Sequence, residues 1–249
     1  MIKLGLIGYP LGHSFSKSFY NNKFQAENIT GYNYELYPVQ DMHSFESLYL
    51  SDKSFKGFNV TIPHKIAVIP LLKELSEEAQ TIGAVNCITI KQTESGPELK
   101  GYNTDAYGFE NSIKPLLNDN HQKALVLGNG GAAKAVYYTL RKLNIPFLIV
   151  SRSKENGDLT YQDLTEEIIQ EYTVIINCSP VGTFPNVDQS PEIPYQHITE
   201  SHLLYDLIYN PEETLFLKKG KEKGATIKNG YEMLVLQAEK NWEIWQNTI

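Results

Sequence analysis

Along most of this chain, short continuous apolar runs are separated by amphipathic stretches, the pattern of strands alternating with helices. Residues 2–8 (Ile-Lys-Leu-Gly-Leu-Ile-Gly) read as a first strand, stopped at Tyr9-Pro10. A helix is predicted to start after Ser14 or Ser16, each a good N-cap. Residues 32–39 alternate in the manner of a strand, and residues 57–62 make another, closed by Pro63. Helical stretches are predicted over 65–73 and 76–81, strand returns over 84–91, and Ser95-Gly96-Pro97 reads as a hairpin turn. This alternation predicts an α/β domain of about a hundred residues.

The second half repeats the pattern more cleanly. A helix near 104–117 leads to strand 123–128 (Lys-Ala-Leu-Val-Leu-Gly), a glycine-rich turn and helix 132–143. Further strands are predicted at 146–151, 173–178, 203–208 and 225–227, and a last helix, carrying both tryptophans, at 231–247. The stretch 180–197 holds four prolines and reads as a loop. Continuous apolar strands alternating with helices predict a parallel, doubly wound sheet covered on both faces.

Composition narrows the function classes. With 249 residues, 41% of them hydrophobic, the chain suits one large domain or two ordinary ones. Charges of both signs are interspersed, and 22 basic against 29 acidic side chains leave no basic stripe, so nucleic acid is not an expected partner. No apolar run approaches the roughly 18 residues of a membrane span. The first strand is too short for a secretory signal, so the expectation is a soluble, cytoplasmic protein. Cys87 and Cys178 do not make a secreted disulfide framework, and free thiols are the simpler reading. The six histidines lack ligand spacing, so no metal is predicted.

Gly128-Asn129-Gly130-Gly131-Ala132-Ala133 fits G-x-G-x-x-A between a strand and a helix, the context a dinucleotide pyrophosphate demands. The first glycine permits the tight turn, the second lets backbone approach the phosphates, and a small residue follows for helix–strand packing. The helix start then offers free N–H groups and the positive end of its dipole. A glycine-rich turn with no ligand is the alternative, and the strand–turn–helix context favours the dinucleotide. At the end of the next strand stands Ser151-Arg152-Ser153-Lys154, with no carboxylate before Glu155. An acidic residue there accepts the 2′-hydroxyl of NAD, whereas an arginine pairs with the 2′-phosphate of NADP. This favours NADP over an ordinary surface cation.

In the first half, Ser14 and Ser16 either aim two hydroxyls at one anion or simply cap a helix. Asn59 and Thr61 fall on one face of a strand, and polar groups on a buried face need partners or a ligand. Lys65 lies just past that strand, where α/β ligand crevices form, and is a candidate for proton transfer, as is His64 beside it. Asn86 sits in an apolar run, and Asp105 either caps the helix it begins or meets Lys65 in a cleft.

These motifs occur in one order with Gly83-Ala84-Val85-Asn86, Asn103-Thr104-Asp105-Ala106-Tyr107-Gly108 and Asn177-Cys178-Ser179-Pro180-Val181-Gly182. Asp206-Leu207-Ile208-Tyr209-Asn210-Pro211 and Asn229-Gly230-Tyr231-Glu232-Met233-Leu234 follow, then Gln237. Together with His13-Ser14-Phe15-Ser16 and Asn59 to Lys65, they resemble the shikimate dehydrogenase family along nearly the whole chain. The resemblance implies reversible reduction of 3-dehydroshikimate to shikimate with NADPH, in aromatic amino-acid biosynthesis. It implies Lys65 and Asp105 as the catalytic pair. Ser14 and Ser16, helped by Tyr209, would hold the substrate carboxylate, and Asn59, Thr61, Asn86 and Gln237 the ring hydroxyls. Gly128, Gly130, Gly131, Ala132, Ser151, Arg152, Ser153 and Gly230 would hold NADP(H). Residues 1–102 with 231–249 are then expected to form the substrate-binding domain, and 103–230 a Rossmann-type domain, in a monomer or homodimer. The last helix would return to the N-terminal domain. A broader quinate/shikimate dehydrogenase using NAD, and a non-catalytic metabolite-binding homologue, are the alternatives. Arg152 speaks against NAD, and Lys65 with Asp105 against loss of catalysis.

Overall fold

The computed structural model describes residues 1–12 and 14–248, and the chain divides into two compact units, 1–104 with 237–249 and 105–236. The first unit begins β1 (Ile2–Gly8), α1 (Phe15–Ala26), β2 (Tyr32–Pro38), α2 (Met42–Ser51) and β3 (Phe55–Val60). It continues with α3 (His64–Ala67), β4 (Glu74–Leu75), α4 (Glu77–Ile82), β5 (Cys87–Thr93) and β6 (Gly96–Tyr102). Its six-stranded sheet has the order β2-β1-β3-β5-β6-β4. β1 is parallel to β2 and β3, while β5 runs antiparallel to both β3 and β6. This places the carboxyl ends of β1, β3 and β6 beside the amino end of β5, along one edge.

Three local findings differ from the sequence pattern. The stretch 65–73 is not one helix: α3 lasts four residues and a single 3₁₀ turn, Ile69–Leu71, follows. Pro70 has no N–H to continue the helix, and its ring crowds the carbonyl four residues back. β3 ends at Val60, so Thr61 falls just past it, although its N–H still donates to Ile7 O at 2.9 Å. β5 starts only at Cys87, because Gly83 ends α4 at φ 68° and the N–H of Val85 goes to Lys65 O (2.8 Å).

The second unit runs α5 (Asp105–Ile113), β7 (Ala124–Leu127), α6 (Gly131–Lys142), β8 (Phe147–Ser151), β9 (Leu159–Thr160) and α7 (Glu166–Glu171). β10 (Val174–Asn177), β11 (Leu203–Asp206), α8 (Leu215–Glu222), β12 (Thr226–Lys228) and α9 (Tyr231–Thr248) complete the chain. Its sheet is wholly parallel, in the order β12-β11-β10-β7-β8-β9. Numbered along the unit, that is 3-2-1-4-5-6 read from the β9 edge, the Rossmann order, with its switch point between β7 and β10. The four residues of β7 are fully buried because both faces are covered: Ala124 and Val126 pack with Phe109, Val136 and Leu140, and Leu125 and Leu127 with Ile169, Phe216 and Leu217.

α9 begins in the second unit, where Met233 joins the core around Tyr205, and ends in the first. There Ala238, Trp242 and Trp245 close a core made with Leu4, Leu6, Tyr20 and Tyr34. Among the described residues no helix is long and apolar enough to cross a membrane, and no three His, Cys, Asp or Glu side chains group to hold a metal ion. Cys87 and Cys178 are free thiols.

Candidate active site

In the first unit, most of the polar residues singled out above gather at the sheet edge where β1, β3 and β6 end. Ser14 is the N-cap residue of α1, yet its side chain makes no capping bond, so plain capping does not explain the hydroxyl. His13 lies outside the described residues. Ser16 hydrogen-bonds Tyr34. The buried Tyr34 hydroxyl donates to Asn59 Oδ1 at 2.7 Å, and Asn59 Nδ2 donates to Asn86 O at 3.3 Å. Asn86 Nδ2 reaches Thr104 Oγ1 (2.9 Å) and Gln237 Oε1 (3.4 Å), while Asn86 Oδ1 accepts the Thr104 N–H at 2.7 Å. Ser16, Asn59, Asn86 and Gln237 thus belong to one connected network, brought together from α1, β3, the start of β5 and α9. Burial requires such polar groups to be paired, and the pairing holds each in a single orientation. Tyr34, Thr104 and Asn241 complete the network and were not predicted as site residues.

Thr61 lies beside this network, its methyl packed so closely on Gly8 that a Cβ there would come within 2.5 Å of it. Lys65 is the half-buried second residue of α3, and Asp105 opens α5 at the start of the second unit. His64 is 4% exposed and a ring nitrogen lies 2.7 Å from Val39 O. That bond ties α3 to the residue that follows β2.

In the second unit, a cleft of about 990 Å³ opens at the switch point. Gly128, Gly130, Ser151 and Arg152 line it, opposite Ser179 and Pro180 after β10. Gly128 needs to be glycine: its φ is 99°, and an added Cβ would lie 3.3 Å from Ser179 N. Gly130 does not need it for the protein's sake, since an added Cβ would meet nothing within 4 Å. Room at that point, together with the uncapped first turn of α6, fits a backbone approached by phosphate. Asn129 Nδ2 ties the turn to Asn156 O at 2.8 Å, and the Ser151 hydroxyl donates to Ser153 O. These bonds fix the loop from which Arg152 projects. Gly131, Ala132 and Ser153 are not among the cleft's lining residues. Gly230 is set against the Leu207 backbone, where a Cβ would lie 2.1 Å from Leu207 O, so close packing accounts for it.

Asp206 organises the far side of the crevice. This fully buried carboxylate accepts from Thr214 Oγ1 (2.6 Å), Asn177 Nδ2 (3.0 Å) and Ile208 N (3.1 Å). Asn177 Oδ1 in turn accepts from Ser179 N and Oγ, at 3.0 and 2.7 Å. The bond to Ile208 sets the start of the segment carrying Tyr209, which is 41% exposed. Burial pushes the Asp206 carboxyl up to about 6, although all three hydrogen bonds pull it down. The folded chain therefore holds this proton more tightly than the unfolded chain, whose carboxyl titrates near 3.9. Protonation of Asp206 favours the fold below about pH 4, and that contribution, about 3 kcal/mol, is lost as pH rises to about 6. The stability of wild type relative to Asp206→Asn, followed by denaturant melts, is expected to fall by that order between about pH 4 and 7. A difference that does not change with pH would contradict this.

Residues 6–88 match the family model described as shikimate dehydrogenase substrate binding domain. The chain is 37% identical to the shikimate dehydrogenase (NADP(+)) of Methanosphaera stadtmanae, over 97% of this chain and 90% of the relative. The chain belongs to the shikimate dehydrogenase family. A shikimate 5-dehydrogenase from Thermus thermophilus, crystallised with NADP(H) and shikimate, superposes with a TM-score of 0.84 at 29% identity, covering 99% of this chain and 94% of that one. The quinate dehydrogenase of Corynebacterium glutamicum in complex with NAD gives a TM-score of 0.88 at 25% identity, with 99% and 94% covered. Solved members of the family thus share the whole two-unit architecture, an N-terminal substrate domain followed by a Rossmann-type domain.

Proposed function

We propose that this chain interconverts 3-dehydroshikimate and shikimate with NADP(H), as a cytoplasmic monomer or homodimer. The observation that carries the reading is the network of half-buried Ser16 with buried Asn59, Asn86 and Gln237, which lines up donors and acceptors suited to a small ring bearing several hydroxyls. Ser14 and Ser16, with Tyr209, hold the carboxylate of that ring. Asn59, Thr61, Asn86 and Gln237 orient its hydroxyls. Lys65 and Asp105 are the catalytic residues, and the ammonium stabilises negative charge on the ketone oxygen and delivers its proton. NADPH supplies the hydride. The first turn of α6, with Gly128, Gly130, Gly131 and Ala132, faces its phosphates. Ser151 and Arg152 face the 2′-phosphate on a loop that Ser153 helps to fix, where β8 ends with no carboxylate to hold a free 2′-hydroxyl. Gly230 keeps the Leu207 segment close to the same ligand.

One assay tests the reading. Purified protein is mixed with NADPH or NADH and with 3-dehydroshikimate, 3-dehydroquinate or neither, and loss of reduced-nicotinamide absorbance is followed. Turnover is expected with NADPH and 3-dehydroshikimate alone. Equal turnover of dehydroquinate with NADH would favour the broader quinate enzyme, and binding without turnover a metabolite-binding protein. As a second arm, Arg152→Ala should raise KM for NADPH by about ten- to a hundredfold, the scale of a charge-assisted hydrogen bond, and leave NADH unaffected.

A further inference from the structure

Tyr137 lies in the second half of α6, and its ring stacks on Phe147 with 5.2 Å between centroids and 9° between planes. From there its hydroxyl donates to the Gly128 carbonyl at 3.0 Å. The direction is forced, because a carbonyl oxygen only accepts. Burial pushes the Tyr137 hydroxyl well above the usual tyrosine range, so the donor keeps its proton at any assay pH. Gly128, Asn129 and Gly130 line the dinucleotide cleft and Tyr137 does not, so this bond reaches the turn from the side away from the cleft. The peptide joining Gly128 to Asn129 is trans, and in a trans peptide the C=O and the following N–H point in opposite directions. A carbonyl held toward Tyr137 therefore sends the Asn129 N–H to the cleft side. Among the described residues that N–H has no acceptor. On either side the chain is tied: the Gly128 N–H donates to Val150 O at 2.8 Å, and Asn129 Nδ2 to Asn156 O at 2.8 Å. The peptide between them is the one able to turn over, since Gly128, at φ 99°, has no Cβ to limit it. Turned over, it would show the phosphates a carbonyl oxygen in place of an N–H.

We infer that Tyr137 is a positioning residue that holds the peptide between Gly128 and Asn129 so that the Asn129 N–H faces the phosphates of the dinucleotide. The inference rests on the reading that this cleft binds NADP(H). It makes the glycine turn depend on a side chain nine residues downstream, which keeps the turn populated in its binding form.

Tyr137→Phe keeps the stacked ring and removes the donor. Kd for NADP+, measured by titration calorimetry, is expected to rise about five- to tenfold, the value of one hydrogen bond. Kd for NAD+ should rise by the same factor, because both dinucleotides carry the pyrophosphate, and this separates the effect from that of Arg152. In the assay, KM for NADP+ should rise while kcat and KM for shikimate stay unchanged. A packing role alone predicts no change in either Kd, since phenylalanine fills the same space, and that result would overturn the inference. Should Tyr137→Phe not fold, backbone amide NMR of the wild-type protein decides. A large shift of the Asn129 N–H resonance on adding NADP+ supports the arrangement, whereas a resonance that does not move overturns it. Wild-type protein that binds neither dinucleotide would sink the proposed function and the inference with it, whereas unchanged binding by Tyr137→Phe sinks the inference alone.

Discussion

Lys65→Ala is expected to lower kcat by about a hundredfold or more, the scale of a general acid contribution and close to 3 kcal/mol of transition-state stabilisation. The effect should fall on kcat and kcat/KM together, because the ammonium acts on charge that develops only as the ketone is reduced. The backbone gives little reason for structural loss. The Lys65 carbonyl accepts the Val85 N–H at 2.8 Å, and the Val68 N–H donates to His64 O at 3.0 Å, and neither bond involves the lysine side chain. Thermal stability should therefore be nearly unchanged. Steady-state kinetics alongside a melting curve make the check: near-normal kcat would remove Lys65 from the mechanism, and a large fall in Tm would mean that its side chain also supports the fold.

Trp245→Ala carries the largest expected cost in stability. The indole is fully buried, against Tyr20 at 5.3 Å and Tyr34 at 6.2 Å between ring centroids, and its Nε1 donates to Ile88 O at 3.0 Å. Gly57 is shaped around it: a Cβ there would lie 2.2 Å from Nε1. Truncation leaves a cavity at the junction of β3, β5 and α9 and orphans the Ile88 carbonyl. The expected loss is about 3–5 kcal/mol, or a fall in Tm of roughly 10 °C. Tyr34 leans on the same indole and donates to Asn59, so KM for shikimate should rise even below the melting transition. Denaturant melts showing a loss under about 1 kcal/mol would mean that the site collapses around the gap.

What the sequence disclosed depended on how local the signal was. The buried strands of the second unit were readable because both faces are covered, which makes Ala124–Leu127 and Val174–Asn177 nearly continuous apolar runs. The glycine turn was readable because its requirements are met within six residues. α2 was missed although Asp41 caps it, with Ser44 N to Oδ1 at 2.7 Å, and Phe45 and Tyr49 share its buried face; two aromatics over ten residues make a weak period. β6 shows only its turn in the sequence, since Glu98 and Lys100 surround its one buried leucine. α7 and α8, of six and eight residues, are too short to show a clear period. The site shows the same division. Asn59 and Asn86 stand out as polar residues in apolar surroundings, whereas Gln237 is reached only through the family resemblance. Asn241 does not stand out, because its partner Thr104 is 137 residues away. Nor does Asp206, whose pairing with Asn177 and Thr214 exists only once β10 and β11 lie side by side and the start of α8 meets them.

The path of α9 has a consequence for biosynthesis. The unit that carries Lys65 lacks Trp242 and Trp245 until residues 237–248 have been made, and those residues emerge from the ribosome after every part of the Rossmann-type unit. The half translated first is thus the half finished last. While the dinucleotide half is being synthesised and folding, the nascent N-terminal segment waits with Leu4, Tyr20 and Tyr34 uncovered. In the cell this interval is where chaperone contact, and misfolding at high expression, should concentrate.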